Sequence, residues 1–114
     1  MTKVNQSFSM YAGDTVNINC VVSDGAGGVK DISGATIAWV LYNEAAGVAV
    51  LNKSTVSGIT ITSGIGGAFT VALAPSDTES VTPGAYYHEA EVTDIAGNVS
   101  TVFTGTVTIK RSRV

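Results

Sequence analysis

The sequence predicts an all-β antiparallel sandwich of about seven to nine strands, and three observations carry that expectation. Turn signals built from Gly, Asp, Asn and Ser recur about every ten residues, the spacing of short strands joined by tight connections. Helical periodicity is almost absent, whereas period-two alternation is clear: Val16, Ile18, Cys20 and Val22 share one face and Asn17, Asn19 and Val21 the other. Composition agrees. Hydrophobic residues make up 45% and charged residues 13% of the 114, which excludes disorder and is enough to bury a core without metal or disulfide support. Residues 1–114 are expected to form one domain.

Taken in order, the first strand is expected at Val4 to Tyr11, closed by an Ala12-Gly13-Asp14 turn, and the second at Thr15 to Val22. Ser23 to Gly28 reads as a flexible loop. Asp31-Ile32-Ser33-Gly34 is a corner that delivers a third strand, Ala35 to Tyr42, with Ile37, Trp39 and Leu41 inward. After the Glu44-Ala45-Ala46-Gly47 turn comes a short apolar edge strand, Val48 to Leu51. Ile59 and Ile61 mark the next strand, Ser63 to Gly67 turns the chain back, and Phe69, Val71 and Leu73 alternate in its partner. Pro75 to Pro83 is the longest polar connection, with one helical turn expected at Ser76-Asp77-Thr78-Glu79. Strands at Ala85 to Thr93 and Val99 to Ile109 close the chain as a hairpin, with Phe103, Val107 and Ile109 on one face. The inward sets would pack around Trp39, each large apolar side chain contributing about 1.5–3 kcal/mol.

Charge narrows the partners. The formal net charge is −3, with six Lys and Arg residues, too few for the basic face that nucleic-acid binding needs. One cysteine, Cys20, excludes an internal disulfide. No apolar run is long enough to span a membrane. The N-terminal Met1-Thr2-Lys3-Val4-Asn5-Gln6 lacks the apolar centre of a signal peptide, so synthesis and folding in a cytoplasm are expected.

The chain resembles an immunoglobulin-like sandwich. Such domains place a cysteine on the second strand, a tryptophan on the third, and Tyr-x-Cys on the penultimate one. Cys20 and Trp39 match the first two positions, and in Tyr86-Tyr87-His88 a histidine stands where the second cysteine would be. The resemblance implies that Tyr86 is a corner tyrosine with its hydroxyl tied to backbone. A more specific likeness lies in Gly13-Asp14-Thr15, in Asp31 to Trp39, in Gly58-Ile59, in Ala74-Pro75-Ser76-Asp77-Thr78, and in Pro83 to Ala90. These strings resemble the Ig-like modules of tailed-bacteriophage virion proteins: baseplate upper proteins, tail fibres and capsid decorations. The likeness spans Gly13 to Val107, and its motifs are turn and core signatures. It implies a virion protein made in the host cytoplasm, with capsid or tail proteins as partners, present as a homo-oligomer or a symmetric multicopy array.

Candidate chemistry is sparse. Cys20 and His88 are the one pair that suggests a nucleophile and a base, but both are expected in the core, from facing strands, where a thiol is inert. A core histidine needs hydrogen-bond partners of its own. Glu89 and Glu91 share an outward face, yet their i, i+2 spacing is wider than the roughly 5 Å of a retaining carboxylate pair, and nothing predicts an enclosing cleft. Asp24, Asp94 and Asn98 would meet at one end of the sandwich, where a calcium ion is conceivable. Their loops lack the dense Asp-x-Asp spacing of a dedicated site, and all three are also ordinary turn residues. Gly25 to Gly28 and Gly64 to Gly67 are not phosphate loops, because neither is followed by lysine and a helix. No catalytic residue, metal or cofactor is assigned.

The interface candidates are therefore the more informative set. Val21, Ala38, Val40, Tyr42 and Val102 are expected outward, making parts of three strands apolar on both faces, which a lone sandwich does not need. Tyr87, Glu89 and Glu91 form a polar, partner-facing row, and Lys110, Arg111 and Arg113 carry half of the basic residues. Two function classes follow: a non-enzymatic virion protein, either capsid decoration (cement) or small tail or baseplate component, docking multivalently; or a carbohydrate- or host-surface-binding module with Tyr11, Tyr42 or Tyr87 as the stacking platform for a host glycan.

Overall fold

A computed structural model describes residues 4–113. Nine strands and one helical turn follow in order: β1 (Val4–Asn5), β2 (Phe8–Tyr11), β3 (Val16–Val21), β4 (Thr36–Asn43), β5 (Val48–Ser54), β6 (Ile59–Ser63), β7 (Ala68–Leu73), α1 (Pro75–Thr78), β8 (Gly84–Thr93) and β9 (Val99–Lys110). They form two sheets. One has six strands in the order β1-β9-β8-β4-β5, with β2 also paired to β9, and the other is β3-β7-β6. All pairings are antiparallel except those of β1 and β2 with β9, which are parallel. This is an immunoglobulin-like antiparallel sandwich without a disulfide, with Cys20 free and buried.

The core lies between the sheets and follows the expected alternation. Ile18, Cys20 and Val22 come from β3 and its end, Ile37, Trp39 and Leu41 from β4, Phe69, Val71 and Leu73 from β7, and Phe103, Val107 and Ile109 from β9. On β8 the even positions Tyr86, His88, Ala90 and Val92 are all buried. Tyr86 is the corner tyrosine, its hydroxyl donating to the Thr82 carbonyl.

The first strand departs from expectation by splitting in two at Gln6-Ser7. Gly105 explains the break. A Cβ there would lie 2.8 Å from Gln6 C and from Ser7 N, so only glycine lets the first strand press this closely on β9. The lost ladder bonds are replaced locally. Gln6 N–H donates to Thr104 O at 2.8 Å, and Ser7 Oγ accepts from Thr106 N–H at 3.0 Å.

The edge strand β5 is longer than the apolar run Val48 to Leu51, because its pairing with β4 continues to Ser54. Past Leu51 it carries Lys53 opposite Trp39. Lys53 therefore points inward and reaches Asp77 of α1 at 2.9 Å, an inward charge that guards an open sheet edge. Asp77 also accepts from Ala74 N–H at 2.7 Å, closing the first turn of α1. Partial burial pushes the Asp77 carboxyl up, but the Lys53 ammonium and the Ala74 N–H outweigh it and hold it below the usual carboxylate range. Beside them, buried Thr78 accepts from Gly13 N–H at 2.9 Å, fixing the turn after β2.

Candidate interaction surface

Strand register assembles the outer face of the six-stranded sheet. Cross-strand partners share a face. Val40 sits between Asn52 of β5 and Glu89 of β8, Ala38 between Ser54 and Glu91, and Tyr42 between Ala49 and Tyr87. Thr104 and Thr106 of β9 continue the rows beyond Glu89 and Tyr87. Five of the sequence-predicted interface residues, Val40, Tyr42, Tyr87, Glu89 and Glu91, are thus brought into one patch. Tyr87 donates its hydroxyl to Glu89 Oε1 at 2.8 Å. Burial, and then the Glu89 carboxylate, push the Tyr87 phenol up to about 12.

Within this face runs a groove of about 360 Å³ whose lining includes Ala38, Val40, Asn52, Ser54, Glu89 and Glu91. Its origin is a difference in side-chain length: Ala38 and Val40 are short, and longer polar side chains flank them from β5 and β8. Asn52 and Ser54 were not singled out in the sequence, because only the β4–β5 register places them beside Val40 and Ala38.

The remaining candidates lie elsewhere. Val21 is 55% exposed but belongs to β3, on the other sheet. Lys110, Arg111 and Arg113 are exposed at and beyond the end of β9, with the Lys110 ammonium 5.5 Å from the Tyr11 ring centroid. Val102 is a correction. It is 1% exposed, because Ala90 pairs with Phe103 while Glu91 pairs with Thr101, leaving Val102 as the extra residue of a β-bulge. The bulge shifts the alternation by one, so Val102 and Phe103 both enter the core.

Cys20 and His88 are both buried, as expected, and each is chemically occupied or quenched. Burial raises the Cys20 thiol to about 11, leaving almost no thiolate at neutral pH. His88 has both ring nitrogens engaged: Trp39 Nε1–H donates to Nδ1 at 3.0 Å, and Nε2 lies 2.8 Å from Gln6 O. An indole N–H can only donate and a carbonyl can only accept, so His88 is neutral with its proton on Nε2. Phe8, Trp39 and Phe103 surround the ring at centroid distances of 5.6, 6.0 and 5.1 Å. Burial pushes its pKa below the usual value, only partly opposed by the bond to Gln6. The polar partners that a core histidine requires are thus the Trp39 indole and the Gln6 carbonyl.

The loop carboxylates serve their own turns. Asp24 Oδ1 accepts from Ala26 and Gly28 N–H, and Asp94 Oδ1 from Ala96 and Asn98 N–H. These bonds hold both carboxyls below the usual range. Asn98 Nδ2 donates to Asp94 Oδ2 at 3.4 Å. No group of three His, Cys, Asp or Glu side chains among the described residues is placed to hold a metal ion. A cavity of about 580 Å³ lies by the tyrosine corner between Asn43, Val50, Asp77, Thr82 and Tyr86. It is open and brings no further titratable cluster.

No protein-family model matches this chain, and no curated protein matches it. Among solved structures, one of murine CRIg is similar over 94% of this chain and 92% of its own, with 11% sequence identity and a TM-score of 0.40.

Proposed function

We propose that this chain is a non-enzymatic bacteriophage virion structural protein, a capsid decoration or cement protein or a small tail or baseplate component. It docks on the particle through the outer face of its six-stranded sheet. The observation that carries the docking role is the gathering of Ala38, Val40 and Tyr42 beside Tyr87, Glu89 and Glu91 on one regular surface. The phage setting is supported by the likeness of Gly13 to Val107 to the Ig-like modules of virion proteins. A rigid face repeated on many copies converts weak single contacts into firm attachment. The one pair that suggests a nucleophile and a base, Cys20 and His88, is buried, which supports a role without catalysis. Co-sedimentation of the purified protein with particles of the tailed phage that encodes it tests the proposal. Saturable binding that Val40→Asp abolishes is expected; a protein that never associates with virions overturns it.

One observation favours a second reading, a glycan-binding module for attachment to a host surface. Tyr42 lies opposite Tyr87, whose hydroxyl is held by Glu89, and paired aromatics beside a carboxylate suit a sugar's apolar face and hydroxyl edge. Titration with host surface polysaccharide decides it, and no binding at millimolar ligand removes it.

A further inference from the structure

We infer that the groove along Ala38 and Val40 receives the Arg111-Ser112-Arg113 segment of a second copy of this chain, so that copies associate head to tail. The charges of the molecule motivate the pairing. Among the described residues the only ion pair is Lys53 with Asp77; Lys53 also borders the groove, but its ammonium is committed to that pair. Among the described residues, therefore, Glu89 and Glu91 line a groove with no cation bound to them, while Arg111 and Arg113 stand exposed beyond β9 with no carboxylate bound to them.

Spacing makes the match specific. Glu89 and Glu91 are two apart on a strand, and Arg111 and Arg113 are two apart in the segment that continues one. In extended chain both pairs repeat at about 6.6 Å and on one face. A segment lying along the groove thus presents both guanidinium groups to both carboxylates in the same register. The Ala38 and Val40 floor accepts the aliphatic stems. Asn52 and Ser54 on the far wall offer oxygens to the N–H groups of the fork that the carboxylates leave free.

The same chain cannot make this contact with itself. Glu91 pairs with Thr101, and Lys110 lies nine positions further along β9, about 30 Å away. Residues 111–113 leave β9 heading away from Glu91 and span about 10 Å at most, so even doubled back they fall short of it. The contact joins two different patches, the groove of one copy and the segment of the next. It is heterologous and closes as a ring or continues as a row.

This inference concerns the purified protein and does not rest on the virion reading. Sedimentation velocity across a concentration series at ~50 mM and ~500 mM NaCl tests it. Wild type is expected to self-associate at low salt, at least about tenfold more weakly at high salt. Glu89→Gln with Glu91→Gln, and separately Arg111→Gln with Arg113→Gln, should each be monomeric. An equimolar mixture of the two variants keeps one intact groove and one intact segment, so it should form a one-to-one dimer and nothing larger. Wild type that stays monomeric at low salt overturns the inference. So does either variant that associates like wild type, or a mixture that stays monomeric or grows beyond the dimer. If wild type is monomeric and only the Glu89→Gln, Glu91→Gln variant fails to bind virions, the groove takes a foreign basic partner, which equally overturns it.

Discussion

Trp39 and His88 are joined across the core by one hydrogen bond, Nε1–H to Nδ1 at 3.0 Å, in the place where an immunoglobulin-like sandwich would set its tryptophan against a disulfide. The bond requires a neutral imidazole. Protonation would put an N–H on Nδ1 facing the indole N–H, and no acceptor would remain between them.

That requirement gives a pH dependence with a definite sign. The folded-state pKa of His88 lies below the ordinary 6.5, so the unfolded chain takes up the proton first. Stability should be full above about pH 6.5 and fall as the pH drops below it, by at most about 1.4 kcal/mol per unit, until the folded-state pKa is reached. Urea unfolding followed by Trp39 fluorescence at pH 7.5, 6.0 and 5.0 measures this. In His88→Phe the slope over this window should vanish. That variant should also be less stable at pH 7.5 by about 1–3 kcal/mol for each of the two partners left unpaired, the Trp39 N–H and the Gln6 carbonyl.

Gly105→Ala should loosen the first strand. The added Cβ meets backbone of Gln6 and Ser7 at 2.8 Å, and backbone cannot step aside as a flexible side chain can. A loss of about 1–3 kcal/mol is expected. Hydrogen exchange should show Gln6 and Thr106 amides losing protection before those of β4 and β8.

Val102 and Val21 should behave as opposites. Val102→Ala removes buried methyls and should cost about 1–3 kcal/mol, and Val102→Lys should prevent folding. Val21→Lys, on an exposed face, should change stability by less than about 0.5 kcal/mol. Thermal melts of the three variants read the contrast.

Cys20 should react with a thiol reagent no faster than the protein opens. With its thiol pushed up to about 11 and buried, modification at pH 8 should be slow in buffer. It should become complete within seconds in denaturant, with a rate that tracks unfolding across a urea series.

Much of the sandwich was legible in the chain because alternation is a local property. The inward sets of β3, β4, β7 and β8 follow from period-two spacing and turn residues, and the corner tyrosine from the resemblance of Tyr86-Tyr87-His88 to an immunoglobulin-like penultimate strand. What was not legible depends on distant partners. The split at Gln6-Ser7 is set by Gly105, far along the chain, and Val102 turns inward because β8 and β9 lose register by one residue. Lys53 reads as a solvent charge until β5 is seen to extend past Leu51 and carry it toward Asp77. The candidate surface was half legible. Its β4 and β8 residues stood out as outward-facing, but Asn52 and Ser54 joined them only through pairing, and Val21, Lys110, Arg111 and Arg113 were separated from them by it.

The parallel pairing of β1 and β2 with β9 also decides how the molecule bears mechanical load. The start of β1 and the end of β9 lie at opposite ends of one ladder, so tension applied between them slides the strands past each other. The paired residues then resist together, as in shear, and cannot be opened one at a time like a zip. Gly105 and His88, which seat the Gln6-Ser7 break, sit in the middle of that clamp. A tether through these two segments would hold until the whole ladder gave way at once, whereas a pull across β5 would peel an edge.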